Sequence, residues 1–122
     1  MKIGYARVST TEQNLDLQLT ALKEAGCRRI YQEKISGAKL NRPELQRLID
    51  QLRPDDIVVV WKLDRLARST QNLLELADQI KNAEASFCSL SEPWADTTSP
   101  SGKMIMTVFA GMAKEYRPSI LI

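Results

Sequence analysis

The chain has 122 residues, with 17 lysines and arginines against 15 acidic residues, a net charge of +2. This length suits one domain with a real core, and a content of 43% apolar and 26% charged residues excludes a disordered chain. A net charge this small does not by itself indicate a nucleic-acid partner. Any inference of nucleic-acid binding must rest on where the charges lie in the sequence.

Two scarce residue types narrow the possible chemistry. The chain has no histidine, which excludes Ser-His-Asp triads and every histidine-containing zinc site. Cys27 and Cys88 are far apart in the sequence and form no CxxC pair, so we interpret them as free buried thiols. Because the N-terminus lacks a signal-peptide run and no stretch is long enough to span a bilayer, we expect a cytoplasmic protein with no membrane partner.

Hydrophobic periodicity predicts four strands that alternate with four helices. The strands are predicted in chain order at residues 2–8, 28–34, 57–61 and 85–90. The helices are predicted from a cap at Thr10 or Thr11 to Ala25, from Pro43 to Leu52, from a cap at Ser69 to Lys81, and from Ser101 to Arg117. Residues 35–42 and 92–100 are predicted as polar loops, and residues 63–68 as a connection.

Residues at the ends of these elements support the assignment. Gly26 suits the left-handed position after the first helix, and Pro43 suits the first position of the second. The unalternating run at 57–61 is typical of a strand buried on both faces of a parallel sheet. The sequence therefore predicts an α/β fold with an open, mainly parallel, four- to five-stranded sheet flanked by helices.

The last predicted helix is apolar over a wide arc. Its main stripe consists of Ile105, Val108, Phe109, Met112 and Tyr116, and the apolar surface beside it of Met104, Met106 and Ala110. A helix of this kind packs against two neighbours. Deep burial in its own domain is one interpretation, and we favour the other, an interface with a partner subunit.

A serine and several arginines are predicted near the carboxyl ends of the first and third strands, where open parallel sheets bind ligands. Arg7 and Ser9 are two residues apart and point to the same side of an extended chain. Arg65 and Arg68 are three apart, as neighbours on a helical turn. Guanidinium groups bind two phosphate oxygens at once and lower the cost of forming an alkoxide. This pattern suits the attack of a serine on a phosphodiester.

Each of these features also has a plainer interpretation. Ser9 can be a turn or cap residue, and Arg65 and Arg68 can be solvated or paired with Asp64 and Glu75. The five glycines are scattered and form no phosphate loop, and no carboxylate cluster for Mg²⁺ is evident. The residues alone indicate a phosphate-handling α/β domain, for which we expect no metal and no cofactor.

Four groups of motifs follow one another along the chain. They are YARVST at 5–10 with Gln13 and LDLQ at 15–18, EKISG at 33–37 with RPEL at 42–45, VWKLDRLARS at 60–69, and GKM at 102–104 with FAGMA at 109–113. In this order and spacing, residues 1–117 resemble the N-terminal catalytic domain of the serine recombinases, the resolvase/invertase family.

The resemblance implies a reaction and a set of catalytic residues. In this family a serine cleaves DNA and becomes joined to the 5′ phosphate, which leaves a free 3′ hydroxyl. Strands then exchange within a tetramer and are rejoined without metal or cofactor. By this resemblance Ser9 is the nucleophile, and Arg7, Arg65 and Arg68 bind the scissile phosphate.

Further roles follow from the same resemblance. Arg42 matches an arginine that reaches the phosphate from a mobile loop. Asp64 matches an acidic residue that serves as a proton acceptor for the leaving 3′ oxygen or orients an arginine. Gln13 and Gln18 position the serine and its neighbours. The expected DNA-binding residues are Arg7, Arg42, Lys62, Arg65, Arg68 and Arg117.

The end of the chain departs from the family pattern. Arg117 is kept, but Tyr116 stands where the family has glutamate, which Glu115 could replace one position early. We therefore expect a catalytic domain at residues 1–117 and a divergent tail at 118–122, with the family's helix-turn-helix DNA-binding domain absent.

Two functions from different classes remain open at this point. The first is a recombinase catalytic domain, which self-associates and acts on DNA. The second is a non-catalytic interaction module that pairs with full-length subunits. An unrelated phosphatase is disfavoured because neither Cys27 nor Cys88 lies in a phosphate loop.

Overall fold

The computed structural model describes residues 1–8, 15–34, 42–67, 69–105 and 107–108. In these residues strands alternate with helices along the chain, except that two helices in succession separate the last two strands. The strands are β1 (Lys2–Val8), β2 (Arg29–Lys34), β3 (Ile57–Val60) and β4 (Ser86–Ser89). The helices are α1 (Leu15–Glu24), α2 (Pro43–Asp50), α3 (Leu63–Leu66) and α4 (Thr70–Asn82). Residues 100–105 and 107–108 are also helical, and we call them the final helix.

The four strands form one sheet in the order β2-β1-β3-β4, and every neighbouring pair is parallel. At its centre Tyr5 of β1 lies opposite Tyr31 of β2 and Val60 of β3. The predicted open, parallel α/β sheet is confirmed, with four strands. Beyond β4 one antiparallel bridge joins Cys88 to Asp96, so a short segment covers part of that edge.

Apolar side chains cover both faces of the sheet. On one face the strands pack against helices α2 and α4, through a cluster that includes Tyr5, Val60, Phe87, Leu48 and Ile80. On the other face Ala6, Val59 and Leu22 pack with partly buried residues of α1. Residues 58–60 are at most 1% exposed, which confirms that β3 is buried on both faces.

Several predicted end signals are confirmed. Gly26 has a φ of +96° immediately after α1, a conformation that favours glycine. Pro43 is the first residue of α2. The Ser69 hydroxyl accepts a hydrogen bond from the Asn72 backbone N–H at 3.1 Å and caps α4. The caps predicted at Thr10 and Thr11 lie outside the described residues.

One element was predicted wrongly. Residues 63–66, expected to be part of a connection, form helix α3. A helix of four residues is too short for an apolar periodicity, and its flanking residues offer no capping side chain of their own. Its stability comes from side chains that lie far away in the sequence.

Cys27 and Cys88 are free thiols, as predicted, but both are half-buried rather than fully buried. They contact the same cluster beside α1. Burial and the neighbouring Cys88 raise the pKa of the Cys27 thiol to about 11. The Cys27 thiol therefore stays protonated, and weakly nucleophilic, at neutral pH.

The described part of the final helix presents apolar side chains to solvent. Met104 is 67% exposed, Ile105 40% and Val108 58%, so deep burial is wrong for these three residues. Met106 and the positions from Phe109 onward, with the predicted end of the helix at Arg117 and the divergent tail, lie outside the described residues. No helix in the described part of the chain is long and apolar enough to cross a bilayer.

A buried glycine lets the start of the final helix lie close to the segment that covers β4. Gly102 is buried, and a Cβ atom placed on it would lie 1.7 Å from the carbonyl oxygen of Asp96. Its backbone N–H donates to the Ser99 hydroxyl at 3.0 Å. The helix therefore packs directly on the backbone of the segment that covers β4.

Replacing this glycine tests the packing. We expect Gly102→Ala to lower the free energy of unfolding by about 1–3 kcal/mol, because the added methyl group must displace backbone. Ser101→Ala, at an exposed neighbouring position, should change it by less than about 0.5 kcal/mol. Urea unfolding of both variants provides the comparison, and equal stability of the two would contradict the close approach.

Candidate active site

The described candidate residues gather beyond the carboxyl ends of β1 and β3. Arg7 is the second-last residue of β1, Asp64 and Arg65 belong to α3, and Arg42 immediately precedes α2. The structure thus brings Arg7, Arg42, Asp64 and Arg65 to one edge of the sheet. Gln18 and Lys62 are also described, whereas the predicted site residues Ser9, Gln13, Arg68 and Arg117 lie outside the described residues.

Two guanidinium groups hold the carboxyl end of α3. Nη2 of Arg7 donates to the carbonyl oxygen of Asp64 at 2.6 Å, and its Nε donates to that of Arg65 at 3.3 Å. Nη1 of Arg42 donates to the carbonyl oxygen of Leu66 at 2.5 Å. The last carbonyl groups of a helix lack partners within it, and cations at that end are stabilising. Arg7 and Arg42 meet both requirements for α3.

Arg42 is deeply placed for an arginine. It is 8% exposed, and its Nη2 also donates to Oδ1 of Asn72 in α4 at 2.9 Å. Burial lowers the pKa of Arg42, although a guanidinium remains charged in proteins. Arg42 therefore links α4 to α3, and sequence reasoning had missed Asn72 as its partner.

A buried carboxylate fixes the start of α2, where Arg42 is located. Glu33 is 5% exposed and accepts hydrogen bonds from the backbone N–H groups of Glu44 at 3.1 Å and Leu45 at 3.3 Å. The hydroxyl of Tyr5 donates to the same carboxylate. A carboxylate at a helix N-terminus satisfies unpaired donors and complements the helix dipole. Glu33 thus caps α2 from the neighbouring strand β2.

The roles of Tyr5 and Glu33 were missed from the sequence, although both residues lie inside the recombinase-like motifs. Burial, followed by the bond to Glu33, raises the pKa of the Tyr5 hydroxyl. The hydroxyl therefore stays protonated and remains a donor to the carboxylate over the whole physiological pH range.

The backbone of Arg7 is held by Gln18. Nε2 of Gln18 donates to the Arg7 carbonyl oxygen at 3.0 Å, and its Oε1 accepts from the Arg7 N–H at 3.3 Å. The Gln18 side chain is fully buried. The last paired residues of β1 and β3 are Tyr5 and Val60, so the amide of Gln18 supplies partners where β3 has ended.

Asp64 is an accessible member of the cluster, whereas the Arg65 side chain is only 14% exposed. The Asp64 side chain is 71% exposed, and its Oδ1 lies 3.6 Å from Nε of Arg65. The plainer interpretation of Arg65, a pairing with Asp64, is thus present, but so exposed a carboxylate contributes little as an ion pair. Nearby, the Lys62 ammonium lies 4.7 Å from the centroid of the Trp61 ring.

Three arginines and one acid give this edge its chemical character. Guanidinium groups on a rigid backbone suit the binding of a phosphate ester and the charge that develops during its cleavage. Among the described residues, no group of three or more Cys, Asp and Glu side chains is placed to hold a metal ion. The geometry thus favours phosphate chemistry supported by arginine.

Removing the Tyr5 hydroxyl tests the buried Glu33 network. We expect Tyr5→Phe to lower the free energy of unfolding by about 1–3 kcal/mol, because a buried carboxylate loses one of its donors. Tyr31→Phe is the matched control, since the Tyr31 hydroxyl has no hydrogen-bond partner among the described residues. Thermal and urea unfolding should separate the variants, and losses of equal size would argue against the network.

Comparisons with known proteins agree with this geometry. The family model for the resolvase N-terminal domain matches residues 2–121. The chain is 43% identical over 121 residues to the serine recombinase gin of Escherichia phage Mu, covering 99% of this chain and 62% of that protein. It is 46% identical over 122 residues to the transposon Tn552 DNA-invertase BinR of Staphylococcus aureus, covering 99% and 64%. The chain thus spans a little over three fifths of the length of these curated relatives.

Solved structures show the same fold. The N-terminal catalytic domain of TP901-1 integrase superposes with a TM-score of 0.84 at 33% identity, covering 97% of this chain and 98% of that one. A resolvase family site-specific recombinase from Streptococcus pneumoniae gives 0.75 at 19% identity, covering 98% and 90%, which supports the fold alone. Because the family model matches residues 2–121, nearly the whole of this chain, the chain belongs to the resolvase family and corresponds to its N-terminal domain.

Proposed function

We propose that this chain is the catalytic domain of a site-specific DNA recombinase that cleaves and rejoins DNA through a serine. Relatives named serine recombinase, resolvase and DNA-invertase support this proposal. They also favour it over a non-catalytic interaction module. The observation that carries the proposal is the convergence of Arg7, Arg42 and Arg65 around α3, at the carboxyl edge of the sheet.

In the proposed reaction the Ser9 oxygen attacks the scissile phosphorus. A bond forms between that oxygen and phosphorus, and the bond to the 3′ oxygen breaks, so the protein holds a 5′ phosphate and DNA keeps a 3′ hydroxyl. The serine proton passes to water and the leaving 3′ oxygen takes a proton from water. The Asp64 carboxylate orients Arg65 and accepts the 3′ hydroxyl proton when the strands are rejoined. Rejoining reverses these events, since the phosphoserine bond retains the energy of the original ester.

The arginines stabilise the charge that develops on the phosphate oxygens. Arg65 and Arg68 contact them directly. A guanidinium has five N–H donors, so Arg7 and Arg42 can hold the α3 carbonyls and also reach phosphate. Gln18 and Gln13 position the strand end that carries Ser9, and Lys62 and Arg117 contact the DNA backbone.

We further propose that the domain self-associates through the final helix, as a dimer and, during strand exchange, as a tetramer. The exposed Met104, Ile105 and Val108 form an apolar surface on this helix. Such contiguous apolar surface marks interaction sites on proteins.

With a net charge of +2, binding of the domain alone to DNA should be weak and independent of sequence.

The nucleophile can be tested with the full chain fused to a DNA-binding module of known specificity. On a nicked DNA substrate that traps the intermediate, the fusion should form an adduct that survives denaturation, and Ser9→Ala should abolish it. Removing one hydroxyl leaves no catalytic nucleophile in the proposed site.

The matched control is Ser101→Ala, which removes the hydroxyl of an exposed serine. This variant should form the adduct at the rate of the parent fusion. An adduct that persists in Ser9→Ala would exclude Ser9 as the nucleophile.

If Arg65 and Arg68 both bind the scissile phosphate, which we call the arginine clamp, replacing them by alanine and by lysine should have different effects on the rate of cleavage. Arg65→Ala and Arg68→Ala should each slow cleavage by about 100-fold or more, because each loses a charge-assisted contact in the transition state. Lysine should restore only part of the rate, since it lacks the two-pronged geometry. Arg47→Ala, at a side chain 70% exposed on α2, should leave the rate unchanged. Full activity with lysine at both positions would contradict the clamp.

A further inference from the structure

Glu92 contacts the amino end of α3 from the segment that follows the neighbouring strand β4. Its Oε1 accepts a hydrogen bond from the Leu63 backbone N–H at 2.8 Å and from the Ser89 hydroxyl at 2.7 Å. Ser89 is the last residue of β4 and is 4% exposed. The buried hydroxyl therefore fixes the carboxylate, and the carboxylate in turn fixes the first residue of α3.

Helix α3 depends on such external contacts more than a longer helix does. It has four residues, and the residue before it supplies no side-chain cap. So short a helix is not stable alone, because nucleation costs more than its few internal hydrogen bonds return. Glu92 places negative charge at its amino end, while Arg7 and Arg42 place positive charge at its carboxyl end. Both placements complement the helix dipole.

The side chains of Asp64 and Arg65 take their direction from α3. Arg65 is only two residues after Leu63, and its N–H donates to the Lys62 carbonyl oxygen at 3.0 Å. A change at the Leu63 N–H therefore propagates within one turn to the guanidinium that meets phosphate. A misplacement of about 1 Å in a catalytic group can cost about 100-fold in rate.

We propose that Glu92 is a positioning residue for DNA cleavage, which acts by capping α3 and so orienting Arg65 and Asp64. This inference rests on the proposed function. Among the described residues, the hydrogen bonds of Glu92 go to the Leu63 N–H and the Ser89 hydroxyl rather than to Arg7, Arg42 or Arg65. Its effect reaches the reaction through the backbone of α3, and Ser89 holds it in place.

The first test separates the rate of cleavage from the affinity for DNA. In the full chain fused to a DNA-binding module, Glu92→Ala should slow single-turnover cleavage about 10- to 100-fold at saturating DNA. Its affinity for DNA should stay within about twofold, because the module sets binding. Glu92→Gln keeps the acceptor oxygen and should recover most of the rate. Ser89→Ala, which only loosens the carboxylate, should lie between Glu92→Gln and Glu92→Ala.

The second test asks whether Glu92 acts through Arg65. If it acts mainly through Arg65, adding Glu92→Ala to Arg65→Ala should slow cleavage much less than Glu92→Ala slows the parent fusion, since only Asp64 is left to be positioned. Two independent effects would instead multiply. Multiplicative losses in this cycle would overturn the proposed route through Arg65.

A matched control distinguishes positioning from general destabilisation. Asp56 is 6% exposed, and its Oδ2 also accepts from a backbone N–H, that of Arg53 at 2.9 Å, but at the amino end of β3. Asp56→Ala should lose stability and keep the cleavage rate. A rate loss in Asp56→Ala as large as in Glu92→Ala would assign both effects to stability and overturn the proposal.

The proposal and the function on which it rests fail in different ways. A parent fusion that cleaves, with a Glu92→Ala variant that cleaves equally fast, would contradict the role of Glu92 alone. A parent fusion that forms no covalent adduct would contradict the proposed function, and the role of Glu92 with it.

Discussion

The candidate site depends on one short helix that is not stable on its own. Helix α3 has four residues, and three charged side chains from separate elements bind its two ends. Arg7 comes from β1, Arg42 from the start of α2, and Glu92 from the segment after β4. Because these contacts join remote parts of the chain, α3 takes its position only once the sheet has assembled. The arrangement of Arg65 and Asp64 is therefore a property of the whole domain.

Each of the two arginines has its own support. Gln18 bonds the backbone of Arg7 where the pairing of β1 with β3 has ended. Glu33 and Tyr5 fix the start of α2, and with it Arg42. These supports are buried, so they are stronger than exposed pairs of the same chemistry and costly to break. Rigid guanidiniums suit a reaction whose charge develops on phosphate, since groups already in place need no reorganisation.

The sequence predicted the parts of this structure that depend on local signals. The strands, the parallel sheet, the turn at Gly26 and the cap at Ser69 follow from residues close together in the chain. Arg7 and Arg65 were predicted from their positions at the strand ends, whereas Arg42 and Gln18 were identified only through the motifs that resemble the family. Helix α3 was missed because its caps are supplied from elsewhere, as in the bond between Leu63 and Glu92, which are 29 residues apart. Glu33 was missed for the same reason, because its partners are backbone groups rather than a spaced set of side chains. The apolar residues of the final helix were readable from the sequence, but the exposure of Met104, Ile105 and Val108 was not, because it depends on how the start of this helix packs at Gly102.

The most direct test of this account is amide hydrogen exchange in α3 of the unmodified chain. The Leu63 N–H, bound by Glu92, and the Ala67 N–H, bound by the Leu63 carbonyl at 2.9 Å, mark the two ends of the helix. If external charges hold α3 as firmly as described, both amides should exchange about as slowly as those of the β1–β3 ladder. Exchange of both at the rate of an unprotected loop would show that α3 opens freely, and would contradict the account.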